Sequence, residues 1–158
     1  IDEPYMQARP EKARQYGLKA LNRALEGIQG ETAVHICFGY AAIIHQRPSG
    51  YSFLPELAAC RCRQISIETA QSQLDTSVLA GFSGKQIMVG CIDLSDMRVE
   101  TPEVIAARIR RALEHLSPEQ VILAPDCGMK YLPREVARGK LASMVEAARI
   151  LRLEHGVA

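Results

Sequence analysis

Between Pro10 and Gln29 the apolar residues Ala13, Tyr16, Leu18, Leu21, Leu25 and Ile28 return at close to a 3.6-residue period. That spacing predicts an amphipathic helix, closed by Gly30. The pattern then changes. Ala33-Val34-His35-Ile36-Cys37-Phe38 is β-rich and bounded by Gly39, which predicts a buried strand. Tyr40 to Tyr51, carrying Pro48, Ser49 and Gly50, predicts a loop. A short helix is expected over Phe53 to Cys60, capped near Ser52. Ile65 to Glu68 predicts a second strand, Thr69 to Leu79 a short helix, and Gly81 with Gly84 a turn. Gln86 to Asp93 predicts a third strand. A helix over Glu103 to Leu116 follows Thr101 and Pro102, a fourth strand runs Gln120 to Ala124, and a last helix runs Arg134 to Leu153. Ile1 to Pro4 reads as the end of a further strand entering a loop.

Short apolar strands alternating with amphipathic helices are the mark of βαβ units and a parallel sheet. The chemistry-bearing residues share one position in this pattern. Asp2, His35 with Cys37, Glu68, Asp93, and Asp126 with Cys127 all fall at or just past the C-terminal end of a strand. Both (β/α)8 barrels and doubly wound sheets place function at that edge. No Gly-rich phosphate loop follows any strand, which argues against a dinucleotide-binding fold.

Composition adds limits. The length of 158 residues suits one domain, and 19 Lys+Arg nearly cancel 18 Asp+Glu. No broad basic field is present for neutralising nucleic-acid phosphates, and the Arg108 to Arg111 cluster reads as a solvated helix face. No apolar run is long enough for a membrane span and no signal-peptide pattern is present, so a cytoplasmic location is expected. An odd set of five cysteines at irregular spacing predicts reduced thiols, some of them open to a metal. The chain opens on Ile1 inside an element, which leads us to expect a longer parent protein.

On a strand, residues i and i+2 face the same side, so His35 and Cys37 can address one metal; a buried core pair has the same spacing. Glu68 ends its strand after two isoleucines, where a carboxylate needs a cation or donors. With Cys127, neighbouring strand ends would deliver N, S, O and S to one spot, a donor set that suits tetrahedral zinc. Cys60 and Cys62, at a helix end, are expected to face apart. Cys91 reads as core, and His115 and His155 as solvated. Asp93 either orients substrate, as a catalytic residue, or holds a neighbouring loop. The stretch between Cys37 and Glu68, with His45 and Arg47, is either a substrate lid or a surface insertion.

The segments HICFG, ISIET, GCIDLSDMRVETPE and LAPDCGMKYLPREVARGKLASMVEAARILR together resemble the C-terminal barrel of cobalamin-independent methionine synthase and its shorter relatives. The resemblance runs from IDEP at Ile1 to about Arg152. It implies a (β/α)8 barrel with one catalytic zinc held by His35, Cys37, Glu68 and Cys127, and a substrate amine met by Asp2. Counting strand ends then places strands five to eight in this chain. Residues 1–158 would be the C-terminal part of a single barrel whose upstream half is absent. Its raw edges would be covered by that missing half or by a second copy in a homo-oligomer. Where large methionine synthases carry a proton-donating histidine, two residues after the aspartate, this chain has Ser95, which favours the shorter relatives.

Two thiolates, one carboxylate and one imidazole leave zinc with a formal charge of minus one. Such a metal is a poor hydrolytic Lewis acid but can still hold an incoming thiol as thiolate. The expected activity is therefore zinc-dependent alkyl transfer, with methyl transfer to a homocysteine-like thiol as the leading case. The partners would be a small-molecule thiol and an alkyl donor, which could be methyltetrahydrofolate, a methylated corrinoid protein or another compound. Epoxide opening by a thiol, as in epoxyalkane:coenzyme M transferase, is a rival reaction, and a non-catalytic zinc-binding fragment is a rival of another class.

Overall fold

The structure, a computed structural model, describes residues 1–38, 50–51 and 53–157. Among these residues five strands form one parallel sheet: β1 (Asp2–Glu3), β2 (Ala33–Ile36), β3 (Gln64–Glu68), β4 (Gln86–Ile92) and β5 (Val121–Pro125). Each strand pairs with the next in sequence, in the order β1-β2-β3-β4-β5. A doubly wound sheet reverses its strand order at a switch point, whereas a barrel wall does not. The unbroken order is that of a barrel wall.

Strand alternation sorts the side chains. Val34, Ile36, Ile65, Ile67, Ile87 and Val89 are buried in the main apolar core with Ile105, Ile109 and Ala147 of the outer helices. Those helices are α5 (Pro102–Leu113) and α6 (Arg134–His155). The opposite face carries His35, Ser66 and Met88, which are Cα partners across β2, β3 and β4 and only partly covered. Helix α5 starts as its sequence dictates: Thr101 Oγ1 accepts from Val104 N–H at 3.4 Å and Pro102 occupies the first turn. Helix α6 ends at Gly156, which takes the left-handed conformation at φ 64°.

Two predicted helices come out differently. The segment expected as one helix begins earlier and is broken: α1 (Tyr5–Ala8), α2 (Pro10–Lys12), a π turn over Ala13–Gly17, then α3 (Leu18–Ala24). Pro10 cannot donate to a preceding turn and pushes Arg9 out of the helical region, to φ −137° and ψ 63°. At Gly17 a Cβ would lie 2.7 Å from Met6 Cε, so the glycine lets α1 fold back closely onto the π turn. Gly27, at φ 78°, stops the element before Gly30.

No helix runs from Thr69 to Leu79. Gln73 sits at φ 50°, which breaks the helical path, and Asp75 then caps a 3-10 turn over Thr76–Gly81 by accepting from Ser77 N–H at 3.0 Å. The helix expected from Phe53 shortens to α4 (Leu54–Leu57), and the proposed Ser52 cap lies outside the described residues. Most of the loop expected from Tyr40 to Tyr51, with His45 and Arg47, also lies outside them.

Candidate metal centre

The ends of β2, β3 and β5 build the centre; β4 stands between the last two in the sheet, so the expected adjacency of all three strand ends does not hold. His35 stands on β2, Cys37 one residue past it, Glu68 at the end of β3, and Cys127 two residues past β5. One ligand-type atom from each of the four lies within 4.8 Å of all the others. The two sulfurs are 3.4 Å apart, and His35 Nε2 is 3.9 Å from Glu68 Oε1. Glu68 is fully buried, and Phe38 N–H donates to its Oε1 at 2.9 Å.

The charge state is what close packing of thiols, acid and imidazole requires. The Cys37 thiol beside it brings Cys127 down to about 4 against the effect of burial, and His35 helps. Burial works to lower His35, but the Cys127 thiolate and the carboxylates of Glu68 and Asp2 lift it above its ordinary value. His35 Nε2 is nonetheless buried without a hydrogen-bond partner. An imidazole nitrogen without a hydrogen-bond partner, set among two sulfurs and a buried carboxylate, is an arrangement that a cation would satisfy. The nitrogen, sulfur and oxygen donors fit a borderline-soft, four-coordinate metal.

Neighbours that sequence reasoning did not assign hold this group in place. Ser66 Oγ lies 2.8 Å from His35 Nδ1. The Tyr51 hydroxyl donates to Ile36 O at 2.9 Å and accepts from Glu68 N–H at 2.7 Å, bridging β2 and β3 just where their ligands emerge. Its ring stacks on Phe38 at a centroid distance of 4.3 Å. Burial and the Glu68 charge push its phenol well above the ordinary value, so it remains a neutral donor.

The fully buried Asp126 carboxylate accepts from three successive N–H groups directly after Glu68: Thr69 at 3.2 Å, Ala70 at 3.1 Å and Gln71 at 2.7 Å. Burial pushes Asp126 up to about 7, and the three N–H donors oppose that rise. Because Asp126 precedes Cys127 and the three amides follow Glu68, this contact sets one ligand strand against the other.

The two remaining predicted site residues lie outside the four-residue group. Asp2 is exposed on β1, paired in register with His35. Asp93, one residue past β4, spends Oδ1 on Ser95, accepting from its N–H at 2.8 Å and its hydroxyl at 2.6 Å. Its backbone is clamped from both sides. Asp93 N–H donates to Glu100 Oε1 at 2.9 Å, and the fully buried Lys140 ammonium donates to Asp93 O at 3.0 Å and to Glu100 Oε2 at 2.6 Å. Arg108 completes the cluster, donating to Glu100 Oε1 at 3.1 Å and to Cys91 O at 2.8 Å. The sequence signal for Lys140 was its place on the same helical stripe as Ala147 and Leu151, which are buried with it.

Cys60 and Cys62 correct an expectation. They do not face apart: both are buried beyond α4, and their thiols interact, lowering Cys60 to about 6 and raising Cys62. The stretch has left the helix by then, and Lys85 Nζ donates to the carbonyls of both residues, at 2.5 and 2.8 Å. Cys91 is core, as expected, and accordingly raised to about 12 by burial.

The chain is 36% identical to a methionine synthase of Saccharolobus islandicus over 98% of its own length and 44% of that protein. It is 35% identical to a methionine synthase of Pyrococcus abyssi, over 98% of its own length and 43% of the relative. It therefore spans less than half the length of these curated relatives. The solved B12-independent methionine synthase of Shewanella sp. W3-18-1, in complex with selenomethionine, superposes with a TM-score of 0.89 at 33% identity, covering 97% of this chain and 48% of that one. A methyltransferase from Methanosarcina mazei, at 20% identity and a TM-score of 0.61, shares the fold. Residues 7–150 match the catalytic domain of the cobalamin-independent synthases, and the chain belongs to that family.

Proposed function

We propose that this chain carries the zinc-binding part of a thiol methyltransferase, which transfers a methyl group to a homocysteine-like thiol and forms a methionine-like product. The observation that carries the reading is the convergence of His35, Cys37, Glu68 and Cys127 within 4.8 Å, with His35 Nε2 buried and unpaired. Methyl transfer is favoured over epoxide opening because the relatives at 35–36% identity are methionine synthases and the Shewanella protein is complexed with selenomethionine.

When bound, zinc supplies the Lewis acidity that lets an acceptor thiol lose its proton near neutral pH. The protein's own residues do the rest. His35, Cys37 and Cys127 supply one nitrogen and two sulfurs, heavy donors that keep a neighbouring thiolate nucleophilic. Glu68 would be the weakest of the four ligands, since a hard carboxylate oxygen competes least well with sulfur. Phe38 N–H donates to Glu68 Oε1 at 2.9 Å and orients the carboxylate. Asp2, on the open edge beside His35, would take the substrate's ammonium group. Asp93, with its backbone fixed by Glu100 and Lys140, would orient the reacting partners. The reaction class is in-line displacement at the methyl carbon, for which alignment of nucleophile and donor is the main requirement.

The domain reading belongs with this proposal: the chain is the C-terminal part of one (β/α)8 barrel, and a further half-barrel would pack against its sheet edges. Reduced thiols at Cys37, Cys60, Cys62, Cys91 and Cys127 suit a reducing compartment such as the cytoplasm. Among the described residues no helix is long and apolar enough to cross a membrane. The test is metal analysis of the purified chain, paired with an assay of methyl transfer to homocysteine from a panel of donors. About one zinc per chain and zinc-dependent methionine formation are expected; a chain that takes up no zinc would defeat the reading.

A further inference from the structure

The His35 imidazole is held from the side facing away from the cluster. Ser66 is its Cα partner across the β2–β3 ladder, so the two side chains stand next to each other on the same face of the sheet. The contact is short, 2.8 Å between Ser66 Oγ and His35 Nδ1. The other ring nitrogen, Nε2, is buried, lacks a hydrogen-bond partner and lies 3.9 Å from Glu68 Oε1.

A neutral imidazole has one N–H and one lone pair, and the partner of one nitrogen decides the role of the other. A hydroxyl can donate or accept, so the Ser66 contact is compatible with both tautomers. A cation among Cys37, Cys127 and Glu68 breaks that symmetry. Nε2 must then present its lone pair, Nδ1 must carry the proton, and the hydroxyl oxygen of Ser66 becomes the acceptor. The same contact fixes the rotation of the ring, because a ring turned about its Cβ–Cγ bond would lose Ser66 and withdraw Nε2 from the cluster.

We propose that Ser66 is a positioning residue for the metal centre: by accepting from Nδ1–H it holds His35 in the one tautomer and rotation that aim Nε2 at the metal. This rests on the zinc reading given above. Ser66 is not one of the four clustered donors and meets the cluster through its contact with His35, so its effect runs through that ring. Loss of an outer partner of a metal-bound histidine commonly weakens metal binding ~10–100-fold.

The experiment compares the wild-type chain with Ser66→Ala and Ser66→Thr, using Zn2+ in competition with a chromophoric chelator and 15N NMR of the His35 ring in the zinc-loaded proteins. The expected result is an Nδ1–H, Nε2-coordinated ring in the wild type, a ~10–100-fold loss of Zn2+ affinity in Ser66→Ala, and recovery in Ser66→Thr, which restores the hydroxyl. Thermal melts of the zinc-free proteins separate this from a folding defect, since a purely structural role would lower stability without changing the ring signals. Ser66→Ala binding Zn2+ as tightly as wild type, with unchanged His35 resonances, overturns the inference and leaves the zinc reading intact. A wild-type ring coordinated through Nδ1 also overturns it. A wild-type chain that takes up no Zn2+ defeats the zinc reading and this inference with it.

Discussion

Gly90 and Asp126 share one space: a Cβ on Gly90 would collide with Asp126 Oδ1 and lie 2.9 Å from both Asp126 Cα and Ile67 O. The glycine is there because the carboxylate crosses over β4 to reach the amides of Thr69, Ala70 and Gln71 on the far side. Gly90→Ala must expel the carboxylate or bend the strand, an overpacking cost of about 1–3 kcal/mol. Because the displaced contact sets Glu68 against Cys127, zinc affinity should fall along with stability. Urea unfolding and metal analysis check both, and a variant with wild-type values in each would show that the crossing does not organise the site.

The four-residue centre should hold about one zinc per chain. Cys37→Ser and Cys127→Ser each replace a sulfur donor with a poorer oxygen and should lose most of the metal. Inductively coupled plasma analysis of the gel-filtered variants gives the answer. Stoichiometric zinc in both would remove these residues from the metal.

Acceptor binding should release a proton. A free thiol is mostly protonated below its ordinary pKa of about 8.5, whereas coordination favours the thiolate. Near neutral pH the released fraction therefore approaches one proton per thiol bound and shrinks as pH rises past that value. Titration calorimetry of zinc-loaded protein with homocysteine, in buffers of different ionisation enthalpy, reads the fraction directly. Buffer-independent heats from a thiol that binds would mean that its sulfur stays protonated.

Glu100 should govern acid stability. Burial opposes its ionisation, but Lys140, the Asp93 N–H and Arg108 together hold its carboxyl below the ordinary glutamate range. A depressed folded-state pKa contributes stability that is present above the unfolded value, about 4.3, and is lost as pH falls through the folded value. Glu100→Gln should flatten that acid limb. Near neutral pH it should cost ~3–5 kcal/mol, because the fully buried Lys140 ammonium is left without its counter-charge. Denaturant melts from neutral to acid pH test this, and an unchanged acid limb would contradict it.

The outer side of β5 should associate with another surface. A groove of about 410 Å³ opens there, lined by Val121, Leu123, Met144, Val145 and Leu151 among others, and Val145 on its rim is 66% exposed. A strand edge beside an apolar groove is prone to pairing. Light scattering of the purified chain should report self-association that Val145→Lys weakens. A monomer of the chain's own mass with a cooperative melt would count against the half-barrel reading.

The sequence by itself determined the βαβ alternation and the position of the functional edge, while the resemblance of its motifs to the methionine synthases singled out the four residues that cluster. The first two depend on local chemistry: strands read from short apolar runs, the two-residue period that puts His35 and Cys37 on one face, and polar residues that stop those runs. Caps such as Thr101 with Pro102 are equally local, and α5 begins where they place it. Where a neighbour intervened, the local reading failed. The first helix broke where Pro10 deflected Arg9 and where Met6 came to rest on Gly17, and the Thr69 segment turned aside at Gln73, its first amides taken by Asp126.

Only the tertiary structure decided which residues support the cluster, because that support crosses between strands. Ser66 meets His35 through inter-strand register, and Asp126 reaches Thr69 across Gly90 over 57 residues of chain. Tyr51 bridges Ile36 and Glu68, and Lys140 is recruited from α6 to clamp Asp93. Periodicity reports which face a side chain takes, but it carries no information on which residue of the adjacent strand stands opposite. That pairing is settled by packing of the whole sheet, and it turns four residues with suitable donors into one site.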